Sequence, residues 1–422
     1  SDGDKPASAV VDLTPLFNSN SPTADSRSMT VEYMDSPAWM CVEALRSVKN
    51  PSSDNSISWA SALTANASLL SLLGDFPLME KYENADSLRA RVGEALRKLS
   101  SLQKTDGGWS WFEGMQSNSY VSLSVCECLA QMPSLDDKTS SMLHRGMAYI
   151  DSLELRDYTL ARKHGRSLFL SNEKLRYLDL VMKVNALMPD SYSASKDILS
   201  MRNYYARLLE KHTDDLTVFG LARTACILRD NGRVKVADRL VDKLRDYTVT
   251  RPGQGRFYAT DAAYYSWMDY RIPTQIAAMR ALMQADKSDP YLNDMLLWII
   301  SQKQVQRWDN PMTAVNVARL LLDIDSSHTL RPAQRPQISF DGVALDGMRT
   351  ATMATRRAKY EGRDPLLQLE GCVLADVPSS LLSSDAKSLT VTKTGAGISW
   401  GAVHTSFVED MANIAQHSSG EL

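Results

Sequence analysis

Apolar residues recur at helical spacing through most of this chain, and that periodicity limits the folds open to it. Segments of ordinary helix length follow one another between residues 36 and 325, separated by turns rich in Gly, Pro and Asp. In a clear example, four apolar residues stand at i, i+3, i+4 and i+7, namely Ala237, Leu240, Val241 and Leu244. The spacing places these side chains on one helix face, and the middle of the chain is predicted to hold roughly a dozen such helices.

The two ends of the chain have the alternating pattern of β-strands instead. The segment "MTVEY" (29–33) has strand character, and further strand-like segments follow residue 325. In one of them, Leu389, Val391 and Lys393 alternate with threonines. Each flank is too short to fold alone, so the flanks are predicted to form one β-domain around the helices.

The predicted protein is therefore mainly α, with a helical domain inserted into a β-sandwich. We place the first part of the sandwich at 1–35, the helical domain at 36–325 and the remainder of the sandwich at 326–422.

Composition and charge are those of an ordinary folded chain, long enough for two or more domains. The 422 residues are 44% hydrophobic and carry a formal net charge of −3. This balance gives no whole-chain reason to expect nucleic acid or an anionic membrane as a partner. No apolar run of about 18 residues stands out, so no direct membrane insertion is predicted. The polar ends, "SDGDKPASA" and "HSSGEL", lead us to expect a piece excised from a longer chain.

Cysteine and histidine are scattered rather than clustered. The five cysteines are an unpromising disulfide framework in a chain of this size, and most fall in apolar patterns typical of buried thiols. Cys126 and Cys128 stand at i and i+2, so they face different sides of a helix and do not form a metal pair. The six histidines never stand at ligand spacing from Cys, Asp or Glu. No metal and no cofactor are predicted.

A weak internal repeat marks the helical region. Gln103 precedes Trp109 by six residues, and the same Gln–Trp pair recurs at 302 and 308, each time between two helical segments. Repeated hairpins of this kind predict either an open solenoid or a closed ring of helices. Aromatic residues beside Gly107 and Gly108 could stack a sugar or a base. Wedging between neighbouring helices is the interpretation we favour.

The turn from Gln103 through Gly107 to Trp109 resembles the hairpin turn of α/α-toroid proteins, which include terpene cyclases and thioester proteins. Three longer stretches narrow the resemblance. "VEYMDSPAWMCVEAL" (31–45) resembles the beginning of the thioester domain of bacterial alpha-2-macroglobulins, and "SLQKTDGGWSWFEGMQSNSYVSLSV" (101–125) resembles its central hairpin. "LTVTKTGAGISWGAVHTSFVEDM" (389–411) resembles the β-region that follows. The three stretches occur in the same order along nearly the whole chain.

That resemblance implies an α/α toroid of helical hairpins set into a β-sandwich, within a longer multidomain chain. Such proteins are protease traps of the cell envelope. A protease cuts a bait region, the molecule rearranges around it, and in active members an internal thioester captures the protease covalently. The implied partners are other domains of the parent chain and proteases, and the implied location is the periplasm or outer surface, with a lipoprotein as the parent.

The residues that form the thioester are missing from the place where the resemblance puts them. A thioester joins a cysteine sulfur to a glutamine side-chain carbonyl at Cys-x-x-Gln spacing, and no other pair supplies that electrophile. Counting back from Ala65-Asn66-Ala67, the family's Cys falls on Asn55, its Glu on Ile57 and its Gln on Ser58. A slip in register changes nothing, because no cysteine lies between residues 42 and 125.

Asn55, Ser56, Ile57 and Ser58, called the degenerate thioester position below, instead suit the start of a helix. Asp54, Asn55 or Ser56 can accept hydrogen bonds from the first backbone N–H groups of a helix. We therefore predict a structural helix cap at this position and no covalent chemistry.

Cys128 and Gln131 do match the Cys-x-x-Gln spacing, but they fall near the end of an apolar helix. Cys128 shares a buried stripe with Val121 and Val125, and an intact helix directs residues i and i+3 away from thioester geometry. We predict no thioester there and no uptake of methylamine by Gln131.

Two other stretches are weaker candidates. Asp323-Ile324-Asp325-Ser326 is similar to the acid motif of terpene cyclases, except that its fourth residue is Ser, and a solvated helix end is the interpretation we favour. The basic segment 160–167, "LARKHGRS", is predicted to be an exposed turn, with a partner-binding patch as the alternative.

The predicted function is that of a non-catalytic module in an endopeptidase inhibitor that acts by physical trapping. The alternative is an α/α-toroid enzyme acting on a lipid or glycan. That reading requires three carboxylates, or a histidine and two carboxylates, converging at the mouth of the toroid.

Overall fold

In the computed structural model, strands occupy both ends of the chain and helices fill its middle. The structure describes residues 7–13, 25–34, 37–75, 79–80, 83–166, 168, 170–189, 194–211, 213, 216–251, 255–259, 271–302, 310–324, 335–345, 349–350, 372–382, 388–393, 399–408, 410 and 412. The chain divides into two compact units. The helical unit comprises 41–326, and the sheet unit comprises 1–40 together with 327–422.

The described residues contain ten β-strands, and eight of them belong to the sheet unit. In chain order the ten are β1 (Ala7–Asp12), β2 (Asp25–Met34), β3 (Val249–Arg251), β4 (Gly255–Phe257), β5 (Gln337–Phe340), β6 (Val343–Ala344), β7 (Arg349–Thr350), β8 (Cys372–Val377), β9 (Ser388–Lys393) and β10 (Trp400–Val408). The sheet unit holds two four-stranded sheets, with strand orders β1-β9-β5-β6 and β10-β2-β8-β7.

Both sheets join the beginning of the chain to its end. Strand β1 pairs antiparallel with β9, and β2 lies between β8 and β10, antiparallel to both. Residues of the two sheets share one hydrophobic cluster, to which Val31 and Ala375 contribute from one sheet and Phe340 and Leu389 from the other. Each sheet thus pairs a strand from the first flank with strands from the second. Strand β1, in the sequence "ASAVVD", was not predicted.

The described residues also contain twelve α-helices. They are α1 (Pro37–Ser47), α2 (Ser56–Asp75), α3 (Ala85–Leu102), α4 (Ser119–Leu129), α5 (Asp137–Lys163), α6 (Asn172–Leu187), α7 (Lys196–Lys211), α8 (Val218–Asp230), α9 (Val234–Asp246), α10 (Arg271–Ala285), α11 (Tyr291–Ser301) and α12 (Pro311–Ile324).

Six of these helices pack in a closed cycle. Helix α2 contacts α4, and contacts then run from α4 to α6, α8, α10 and α12 before α12 returns to α2. Five other helices pack against this cycle: α3 on α2, α5 on α4, α7 on α8, α9 on α8 and α10, and α11 on α10. We call α2, α4, α6, α8, α10 and α12 the inner helices, and α3, α5, α7, α9 and α11 the outer helices.

Burial separates the inner helices from the outer ones. Nine consecutive residues of α4, Val121 to Leu129, are buried, whereas α3 buries only Leu88, Ala95, Leu99 and Leu102. An inner helix has neighbours on nearly every side, so its sequence is apolar or small all round, while an outer helix needs a single apolar stripe. The stripe predicted from Ala237, Leu240, Val241 and Leu244 is the buried face of the outer helix α9.

Helix α2 corrects one expectation drawn from composition. By length and hydropathy it passes as a membrane span, although no such segment was predicted. Two thirds of its apolar window is buried inside the protein, as in the core helix of a folded domain. Its many Ala, Ser and Thr residues make α2 look less hydrophobic in the sequence. The same small residues allow close packing against α3, α4 and α12.

Candidate functional site

The degenerate thioester position lies at the start of α2, and Asn55 is its cap. The Asn55 side chain accepts a hydrogen bond from the Ser58 backbone N–H at 2.8 Å. This bond satisfies one of the four N–H groups that a helix start leaves unpaired. Of the three capping residues that the sequence allowed, the structure selects Asn55. The residues at the family's Cys and Gln positions are thus joined by a hydrogen bond.

The same cap opens other inner helices, where the resemblance implies no reactive group. Asn118 accepts from the Val121 N–H at 3.1 Å before α4, and Asn310 accepts from the Thr313 N–H at 2.9 Å before α12. Asn55 is therefore one of several asparagines that cap inner helices, as expected of a residue with a structural role.

Ser56 joins this helix start to the segment that follows Trp109, and Ser58 joins it to the preceding turn. Ser56 is fully buried; its hydroxyl donates to the Ser110 carbonyl at 2.6 Å, and its N–H donates to the Trp111 carbonyl at 3.2 Å. The Ser58 hydroxyl lies within hydrogen-bond distance of Ser52 and Ser53, at 3.1 and 3.2 Å. Ile57 is only half-buried. Two motifs found separately in the sequence therefore meet in space.

Asp54 adds a charged contact in front of the cap. Its carboxylate accepts from the Trp59 indole N–H at 2.6 Å and from the Lys98 ammonium at 3.1 Å. The hydrogen bond from Trp59, and then that from Lys98, hold the pKa of the Asp54 carboxyl below its usual value. The carboxylate is therefore ionised at neutral pH and serves as an acceptor, not as an acid.

The hairpin turn around Trp109 is a packed wedge. Trp109 is fully buried, and its indole N–H donates to the Leu99 carbonyl at 2.9 Å. The Gln103 amide donates to the carbonyls of Gly107, at 2.8 Å, and Met142, at 2.9 Å. These bonds tie the turn to α3 and α5, and they leave no open aromatic face at Trp109 for a sugar or a base.

Two glycines allow this turn to lie against α5. Gly107 has φ +90°, and a Cβ there would stand 2.4 Å from the Arg145 carbonyl oxygen. A Cβ on Gly108 would stand 2.8 Å from both Ser117 and Tyr149. Any larger side chain would force the turn away from the helix, so both positions are sterically restricted to glycine.

A second turn of the same kind was not predicted from the internal repeat of the sequence. Gly255 has φ +78°, and its Cβ would stand 2.3 Å from the Asp294 carbonyl, while Phe257 stacks on Trp298 at 5.6 Å. The Gln275 amide donates to the carbonyls of Arg256, at 2.8 Å, and Met295, at 3.2 Å. This bonding is similar to that of Gln103, with Gly255 and Phe257 in the places of Gly107 and Trp109. The accepting carbonyl differs, because Gln103 bonds Gly107 itself whereas Gln275 bonds the residue after Gly255.

The repeat predicted from Gln302 and Trp308 does not supply that second turn. Gln302 follows the last residue of α11, and its side chain donates to the Ser301 hydroxyl at 3.2 Å. Trp308 lies outside the described residues. A signal was present in "GQGRFY", but the glutamine that completes the turn comes after it in the chain, on α10.

Cys128 and Gln131 have the thioester spacing but not its geometry. Cys128 is fully buried, and its sulfur lies 3.9 Å from the Ser61 hydroxyl on α2. The Gln131 amide donates instead to Asn316 on α12, at 3.0 Å. Burial raises the pKa of the Cys128 thiol to about 12, so it stays protonated and a poor nucleophile. Burial likewise raises the thiol pKa values of Cys41, Cys126 and Cys226.

The remaining candidates have solvent-exposed or ordinary structural positions. Asp323 pairs with Arg319 at 3.0 Å, whereas Asp325 and Ser326 lie outside the described residues. Residues 162–166 are exposed where α5 ends, and Ser167 lies outside the described residues. Within the described part of the chain, no group of three or more His, Cys, Asp or Glu side chains is arranged to hold a metal ion.

The sequence matches no protein-family model and no curated protein. The fold is similar to that of bacterial alpha-2-macroglobulins. The Salmonella protein reacted with methylamine matches at TM-score 0.51 and 14% identity, over 96% of this chain and 24% of that chain.

Two further alpha-2-macroglobulin structures match to a similar degree. A mutant of the Salmonella protein has TM-score 0.50 and 13% identity, over 96% of this chain and 24% of its own. The native conformation of the E. coli protein has TM-score 0.50 and 13% identity, over 97% and 23%. The chain thus spans about a quarter of the length of these solved chains. At such identity the likeness concerns the fold alone.

Proposed function

We propose that this chain is the thioester-domain-like region of a bacterial alpha-2-macroglobulin-like protein that inhibits endopeptidases by physical trapping. The observation that carries the proposal is the hydrogen bond from the Ser58 N–H to Asn55 at the start of α2. It stands where the resemblance puts the reactive Cys–Gln bond, in a chain whose fold is similar to that of bacterial alpha-2-macroglobulins. Neither an asparagine amide nor a serine hydroxyl can replace the thiolate that a thioester requires.

In this proposal the helical unit is an α/α toroid and the sheet unit is a β-sandwich. The closed cycle of inner helices, with outer helices packed against it, supports the toroid. The hydrophobic cluster shared by the two four-stranded sheets supports the sandwich.

The chain then acts as a binding and structural module, not as an enzyme. Its partners are other domains of the parent chain, which the partial coverage of the solved neighbours supports, and the proteases that the parent encloses. The proposed parent is a lipoprotein of the cell envelope, in the periplasm or at the outer surface, as the resemblance implies.

The test uses the full-length parent and an endopeptidase that cleaves it. We expect a complex in which the protease still hydrolyses a small peptide but no longer a large protein substrate. Boiling in denaturant should then release the protease unmodified, because no covalent bond holds it.

A protease inactivated at its active site is the matched control, since it cannot cleave a bait region and should not be enclosed. A protease–parent adduct that survives boiling contradicts the non-covalent mechanism. Failure to form any complex, with undiminished cleavage of the large substrate, contradicts trapping itself.

A further inference from the structure

A small polar cavity lies among five of the six inner helices. Its volume is about 20 Å³, and its polar lining comes from α4, α6, α8, α10 and α12. The polar side chains that line it include Gln131, Asp179, Lys183, Arg223, Arg280 and Asn316. This is a rare place for charged groups, because inner helices otherwise bury apolar or small residues.

The cations of this lining outnumber its anions. Asp179 accepts from Lys183 at 2.8 Å and also pairs with Arg223, so one carboxylate serves two cations. Burial acts to raise the pKa of Asp179, but Lys183 and Arg223 outweigh it and hold that pKa below its usual range. Asp179 is therefore a full negative charge, and the trio still carries one excess positive charge.

Glu127 also lines the cavity, but its charge is already matched. It accepts hydrogen bonds from both the Nε and an Nη of Arg176, the shortest of which is 2.6 Å. The bidentate pair is neutral as a unit, so it does not balance the excess positive charge of its neighbours.

Arg280 is a further positive charge for which the described residues provide no ion-pair partner. It makes no hydrogen bond and no ion pair with the described residues. Two carboxylates, Asp323 and Asp179, act on it electrostatically, but Asp323 is paired with Arg319 at 3.0 Å and Asp179 already serves two cations. Burial lowers the pKa of Arg280, yet a guanidinium stays protonated in proteins. The Nε–H of Arg223 is likewise buried without a hydrogen-bond acceptor among the described residues.

A water molecule is the competing occupant, and one feature favours it. The Gln131 Oε1 is buried without a hydrogen-bond donor among the described residues, and a water would supply one. Arg280 is half-buried and the Lys183 side chain is 39% exposed, so solvent reaches part of this site. Water would hydrate the excess cations but would not neutralise them. The excess of cations therefore decides in favour of an anion.

We propose that this cavity is a binding site for a monatomic anion of the halide class, with chloride as the natural occupant. The donors are the guanidinium groups of Arg280 and Arg223 and the ammonium group of Lys183. The volume fits one small occupant, since a single water needs about 10–15 Å³, and it excludes larger anions. A bound chloride would link the three inner helices that carry these donors, α6, α8 and α10, and stabilise the folded chain.

The first experiment measures unfolding of the 422-residue chain in chloride and in gluconate at constant ionic strength. Gluconate is too large for the cavity. We expect the folded-to-unfolded ratio to rise about tenfold for each tenfold rise in chloride above its dissociation constant. Arg280→Met should abolish this dependence, whereas Arg229→Met should keep it, because Arg229 is on the inner helix α8 but pairs with Asp238 away from the cavity.

The second experiment does not depend on a variant that folds. Crystals of the unaltered chain grown with bromide should show an anomalous scattering peak among Lys183, Arg223 and Arg280. A water in place of the peak overturns the proposal. So does a wild-type stability that is indifferent to chloride, or a chloride dependence that Arg280→Met leaves unchanged.

Discussion

The start of α2 and the end of α4 are the two places where this chain approaches thioester chemistry, and they fail in opposite ways. At α2 the side chain of residue 55 reaches residue 58, but these residues are Asn and Ser. At α4 the residues are Cys128 and Gln131, but the sulfur lies against α2 and the amide against α12. A Cys-x-x-Gln spacing is thus insufficient without a helix start, where side chains can turn towards the first N–H groups.

The largest loss of stability is expected from a change at Trp109, which lies next to both the start of α2 and the helix α4. Trp109→Ala should lower the free energy of unfolding by about 3–5 kcal/mol, because it removes a fully buried aromatic side chain. Its backbone bonds Ser122 on α4, and the next residues bond Ser56 on α2. Urea unfolding followed by circular dichroism measures the loss. Phe112→Ala is the control and should change stability by less than about 0.5 kcal/mol, since Phe112 is 48% exposed.

At the end of α4, the comparison predicts an inert thiol. With a pKa of about 12, roughly one Cys128 thiol in 10⁴ is ionised at pH 8, and the side chain is fully buried. Alkylation with iodoacetamide, mapped by mass spectrometry, should therefore label Cys128 only after the chain is unfolded.

Methylamine provides the companion assay for Gln131. Mass spectrometry of the folded chain treated with methylamine should show this residue unmodified. Incorporation there would mean that Cys128 and Gln131 do form a thioester, and the distinction between the two places would be lost.

At the start of α2, the comparison predicts a modest loss that depends on capping alone. Asn55→Ala should lower the free energy of unfolding by about 1 kcal/mol, because the Ser58 N–H loses its acceptor. Asn55→Asp should retain nearly all of the stability, since a carboxylate caps equally well. Chemical denaturation of the three proteins at pH 7 tests this. Equal losses in both variants would show that Asn55 does something other than cap the helix.

The smallest expected effect is the pH dependence of the Asp54 contact. The folded pKa of Asp54 is lowered, so the ionised form contributes stability above the unfolded pKa of about 4, and that stability is lost as pH falls below it. The difference in stability between the wild type and Asp54→Asn should shrink below about pH 4. Because Asp54 is 64% exposed, we expect the difference at pH 7 to stay below about 1 kcal/mol. A difference that grows on acidification contradicts this assignment.

Periodicity predicted the helices well because burial on one face leaves a readable pattern. Ala237, Leu240, Val241 and Leu244 are all buried on α9, and "MTVEY" lies within β2. The inner helices are harder to read, since residues buried on all sides show little contrast between faces. The apolar character of α2 was underestimated for that reason.

The turn at Gly255 and the polar cavity were not predicted from the sequence, because each depends on residues that are distant from one another in the chain. Gln275 completes the turn at Gly255 from a helix that follows it, so a pattern ordered like Gln103-Gly107-Trp109 cannot find it. Arg280 and Lys183 look like solvated charges when each helix is read alone. Only the packing of five inner helices brings such residues together around one cavity.

The return contact from α12 to α2 has a consequence for how the chain is made. It joins residues 56–75 to residues 311–324, so about 240 residues of chain lie between the two partners. Bringing them together closes a long loop, which costs conformational entropy before the contact can stabilise the fold. Contacts of such high sequence separation slow folding. During synthesis, α2 emerges before α12 and lacks this contact until α12 has left the ribosome. The first inner helix is then the segment most exposed to aggregation, and a chaperone that binds apolar segments has its longest opportunity there.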